Sequence, residues 1–146
     1  MLIVSLALAT GIATGAPRAP SLEEAARQIE TTGGVTCSLT ADEGRMAKET
    51  EERILRRPRY ADYYPQERAG CVVYQITVDW RGLITKMELL RSVGNLRFTA
   101  RDFQFRGQIQ PTNTKPWTGL LSISSRVAPE HRKRTAEFLR SLDKDR

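Results

Sequence analysis

The sequence is poor in the side chains that build most metal and catalytic centres. It has one His and two Cys in 146 residues. A zinc site made of Cys and His needs three or four such ligands, so it would have to use all three of these residues, and that class is nearly excluded. It has no glycine-rich phosphate loop, no GxSxG elbow and no HExxH. Asp42–Glu43 and Glu51–Glu52 are neighbours, but they lack the apolar framing that tunes a carboxyl for acid–base work. A Cys–His nucleophile would have to use His131, which lies in the charge-rich run EHRKR, a poor place to orient a base. Enzymatic turnover and a cofactor are therefore not expected, nor is a small-molecule substrate. Aromatic residues are scarce, at 7%. Basic residues are spread along the chain, without the clustering among exposed aromatics that nucleic-acid binding asks for, so nucleic acid is not the expected partner.

What remains is ordinary globular material. Hydrophobic residues make up 40% and charged residues 27%, enough for one modest core. The net charge of +6 suits an acidic partner or surface. Its largest share, +4, falls on residues 61–128.

The one long uncharged run is Met1–Ala16, MLIVSLALATGIATGA. As a helix it would span roughly 24 Å, short of a hydrocarbon core of roughly 30 Å. It reads as the apolar region of an export signal, with cleavage expected after Gly15. An uncleaved anchor in the inner membrane and a buried N-terminal helix are the alternatives. There is no Cys at its end to carry a lipid. Export would place Cys37 and Cys71 where a bridge can form. They are read either as that bridge or as two buried thiols that never meet.

Downstream, Ser21-Leu22-Glu23-Glu24 and Thr40-Ala41-Asp42-Glu43 are capping boxes. The first predicts a helix to about Glu30, stopped by Gly33–Gly34. The second predicts a largely solvated helix to about Arg57, before Pro58. Between them Val35–Leu39 reads as a short strand. From Val72 to Trp80 apolar residues alternate, which predicts a strand with one buried face made by Val72, Tyr74, Ile76, Val78 and Trp80. Asp79-Trp80-Arg81-Gly82 reads as a hairpin turn into a second strand, Leu83–Ser92. That strand's alternation fails at Leu89–Leu90, where a bulge or two buried faces are expected. Phe98–Arg106 reads as a helix under the first strand. Leu120 to Val127 reads as a third strand, and Pro129 opens a closing helix to about Asp143. The expected fold is α+β: a small antiparallel sheet with a β-β-α-β core and helices on one face, preceded by a helical N-terminal segment. The expected parts are a leader at 1–16, the helical segment at 17–57 and a domain at 58–146.

The hairpin residues also resemble a known family. Gly70-Cys71-Val72, Ile76-Thr77-Val78-Asp79, Gly82 to Met87, Leu89 to Asn95 and Phe98 follow the GxVxxxxxVDxxGxVxxVxVLxSSG pattern of the TonB C-terminal domain. Pro111-Thr112-Asn113-Thr114-Lys115-Pro116-Trp117 follows where that family has its P-A-x-x-N-G-K-P-V run. The resemblance covers about residues 58–127. It implies a periplasmic binding module that can support transport across the outer membrane by adding a partner peptide, such as a receptor segment, to a sheet edge. The candidate edge is Leu120, Leu121, Ser122, Ile123, Ser124, Ser125, Arg126 and Val127. The chain shows no proline-rich spacer, so a stand-alone domain is expected rather than a complete energy transducer. A basic binder of envelope polymers or nucleic acid that shares only the fold is the alternative.

Overall fold

A computed structural model describes residues 18–55, 69–103, 108–112 and 114–142. The fold is α+β. A three-stranded antiparallel sheet is built from β1 (Gly70–Val78), β2 (Ile84–Gly94) and β3 (Trp117–Ser124), with β1 in the centre. Helices α1 (Leu22–Thr32), α2 (Ala41–Arg53) and α3 (Arg132–Leu142) complete it. The expected leader, Met1–Ala16, lies outside the described residues, as do Arg56 and Arg57. Among the described residues no helix is long and apolar enough to cross a membrane.

Both capping boxes form. The Ser21 hydroxyl accepts from Glu24 N–H, and the Glu24 carboxylate accepts from Ser21 N–H, each at 3.1 Å. Thr40 and Glu43 exchange the same pair of bonds at 3.1 and 3.0 Å. The hydrogen bond from Ser21 holds the Glu24 carboxyl below its ordinary pKa, against a smaller opposing effect of burial. Gly33 ends α1 with φ 82°, a left-handed turn that a side chain would strain. The hairpin turn is fixed by Asp79. Its Oδ1 accepts from the N–H groups of Arg81 and Leu83 at 2.9 and 3.0 Å, and its Oδ2 meets the Arg81 guanidinium at 2.8 Å. Burial alone would raise the Asp79 pKa, but these donors together pull it below the ordinary value. The bulge falls at Leu90: Val73 pairs with Arg91 and Tyr74 with Leu89.

The sheet is covered on both sides, which corrects the expectation of a single buried face for β1. Cys71 and Val73 point to a cluster with Ile29 of α1, Ala136 and Leu139 of α3, Val35, Leu120 and Val127. Val72, Tyr74, Ile76 and Val78 point the other way, to Leu96, Phe98, Phe103, Ile109 and Leu121. The helices do lie on one face, but Leu96, Phe98, Phe103 and Ile109 close the other. There the expected helix is only a 3-10 turn over Ala100–Phe103, and residues 104–107 are outside the described set. Phe98 N–H donates to the Tyr74 hydroxyl at 2.8 Å and anchors this segment to β1.

Further corrections follow from where the strands end. Trp80 is not on the buried face. It lies past the last β1 residue, in the turn, and is 51% exposed. Val35–Leu39 is not a strand; among the described residues the bridge beside it joins Gly34 and Arg126. The third strand starts at Trp117, three residues before Leu120, and ends at Ser124, so Ser125, Arg126 and Val127 lie beyond it. Pro129 opens a 3-10 turn that leads into α3.

Candidate functional site

The N-terminal segment and the sheet are one packed body. Cys37, between α1 and α2, is bonded to Cys71 of β1, with Cα atoms 5.7 Å apart. Of the two readings of these cysteines, the bridge is the one realised. Across the same region Arg140 of α3 reaches Glu23 and Glu30 of α1, both at 2.7 Å. That contact holds the Glu30 carboxyl below its ordinary pKa and raises the Arg140 pKa. Arg91 of β2 pairs with Glu43 at the start of α2, and its Nε also donates to Ser38 C=O at 3.3 Å.

β3 is an edge strand, hydrogen-bonded along one side to β1. Main-chain groups in an antiparallel ladder point alternately to either side. Ser125 N–H points inward and donates to Gly70 C=O at 2.9 Å. The Ser125 hydroxyl also accepts from Gly70 N–H at 2.9 Å, so this residue is spent on β1. Leu120 N–H points outward, where the Thr50 hydroxyl of α2 accepts from it at 3.1 Å. Thr50 is 2% exposed and donates in turn to Met46 C=O at 3.0 Å. Close approach of α2 depends on Gly119: a Cβ there would lie 2.4 Å from the Thr50 hydroxyl oxygen. The Arg53 guanidinium stacks 4.5 Å from the centre of the Trp117 ring and closes that end.

The other end of the candidate edge is tied to the residues after α1. Val127 N–H donates to Gly33 C=O at 2.7 Å, and Arg126 bridges to Gly34. A Cβ on Gly33 would lie 2.6 Å from the Val127 carbonyl oxygen, so a glycine is needed for this contact as well as for the turn.

The eight candidate residues therefore divide. Leu120 and Leu121 are buried on opposite faces of the sheet. Val127 is buried, and Ile123 is half-buried against the Phe103 cluster. Ser122 and Ser124 share the outward parity of Leu120, and among the described residues no hydrogen bond reaches their outer main-chain groups. The Arg126 side chain is exposed beside them. Sequence reasoning missed Thr50 and the Gly33–Gly34 contact. Nothing in a charged helix distinguishes a threonine that will cap a strand edge, and Gly33–Gly34 was legible only as a helix stop.

No protein-family model, curated protein or solved structure matches the chain. Among the described residues there is also no group of three or more His, Cys, Asp or Glu that could hold a metal ion. The arrangement offers main-chain hydrogen bonding at a sheet edge, framed by two fixed ends.

Proposed function

We propose that the protein is an exported binding module without turnover, which takes an extended segment of a protein partner beside β3, in the way the TonB C-terminal domain does. The observation that carries the reading is the short open stretch at Ser122–Ser124. Each of these serines offers one outward N–H and one outward C=O, between the Thr50 tie and the Gly33–Gly34 tie. The two ties set the length of the incoming strand, and Arg126 favours an acidic one. The Cys37–Cys71 bridge supports a disulfide-permissive compartment, in keeping with an export signal at Met1–Ala16 and a periplasmic location, free or held by an uncleaved leader. An outer-membrane receptor segment is the partner that the family resemblance suggests.

Ser124→Pro tests this directly. Proline removes an N–H, and at Ser124 that N–H faces away from β1, where an edge strand tolerates it. The variant is expected to keep its thermal midpoint within a few degrees and to lose the peptide partner recovered from periplasm with the unaltered domain. Arg126→Ala should weaken an acidic peptide by about 0.5–1 kcal/mol, as for an exposed charge pair. Undiminished binding by a folded Ser124→Pro variant would overturn the reading. Binding of unrelated polyanions with a steep salt dependence would favour the basic-polymer alternative.

A further inference from the structure

The sheet has a second edge, and it is the longer one. β2 runs eleven residues, Ile84–Gly94, and among the described residues no backbone hydrogen bond from another element reaches its outer side. We propose that this edge pairs with β2 of a second copy of the chain, antiparallel about a two-fold axis at Met87, joining two three-stranded sheets into one.

The register follows from parity and charge. Because residues 72, 74 and 76 of β1 turn their main-chain groups to β3, residues 73, 75 and 77 turn theirs to β2, where they meet Arg91, Glu88 and Lys86. Met87 and Leu89 therefore direct their N–H and C=O groups outward. A symmetric antiparallel pair must set outward residues against outward residues, which leaves few registers. Centring on Glu88 would put Glu88 opposite its own copy, a destabilising like-charge pair. Centring on Leu89 would set the Leu90 bulge next to the axis, whereas Met87 lies in the regular stretch between the register shifts at Thr85 and Leu90. Centring on Met87 sets Lys86 opposite Glu88 twice, once on each side of the axis. Both side chains are exposed, and neither forms an ion pair among the described residues. The same register places Met87 against its copy, with Leu89 diagonal to it on the same face. It thereby covers part of an apolar patch in which Leu89 and Leu90 are 47% and 40% exposed. An isologous contact of this kind closes at two copies and does not propagate.

Sedimentation equilibrium of the disulfide-bonded protein over a range of concentrations tests the proposal. A concentration-dependent monomer–dimer equilibrium is expected. Lys86→Glu alone and Glu88→Lys alone each replace both attractive pairs with repulsive ones, and should weaken the dimer roughly tenfold or more. The double exchange, Lys86→Glu with Glu88→Lys, should restore it. All three changes lie on exposed side chains, so circular dichroism should show unaltered folding. A protein that stays monomeric at all concentrations would overturn the proposal, as would single exchanges that leave the dimer intact or a double exchange that fails to rescue it. The β3 partner site is on the other edge, so peptide binding there should be the same in all of these variants.

Discussion

Thr50 shows how much one side chain does here. It sits in a helix whose surface is otherwise mostly charged, yet it is buried, and its hydroxyl both donates to Met46 and accepts from Leu120. Replacing it with valine keeps the shape and removes both bonds. The Leu120 N–H would then be buried beside a methyl group with no acceptor. An unsatisfied buried donor costs about 1–3 kcal/mol, so Thr50→Val should lower stability by that amount in a urea titration. A neutral substitution would mean that water or another group takes the place of the hydroxyl. In either outcome the change leaves the main-chain groups of Ser122–Ser124 as they are, so it should not weaken partner binding there.

At the level of elements, the β1–β2 hairpin holds the sheet together. Ile76 is 1% exposed and packs among Phe98, Phe103 and Leu121. Ile76→Ala should cost about 2–5 kcal/mol, because the lost burial and the cavity add. Chemical denaturation measures it, and a loss under 1 kcal/mol would mean that the second cluster collapses around the gap. The two capped helix starts, the hairpin and its turn were legible in the sequence, and the break at Leu89–Leu90 was legible as a bulge or two buried faces, because each depends on residues within a few positions of one another. The second covered face was not legible. It depends on Leu96, Phe98, Phe103 and Ile109 packing over β1, a choice made by tertiary packing and not by any local period. Trp80 misled for the opposite reason: it continues the alternation of β1 by one step after the strand has ended. The candidate edge was legible as a strand, but its two ties come from Thr50 and Gly33, far away in the chain, and pattern reading does not see them.

For the whole molecule, the disulfide is the long-range constraint. It joins residues 34 apart in sequence, and by the loop-entropy model its closure stabilises by about 3–4 kcal/mol. Replacing both cysteines with alanine should lower stability by about that much in thermal or urea melts, and reductant should do the same to the unaltered protein. The bridge has another consequence. Backbone and bridge together make a closed covalent ring from Cys37 to Cys71, and all of α2 lies inside it. A protease that cuts once within the ring releases nothing. The two products travel as one particle on a non-reducing gel and part only when thiol is added. A nick there would turn a one-chain protein into a two-chain protein, still able to present both edges of its sheet.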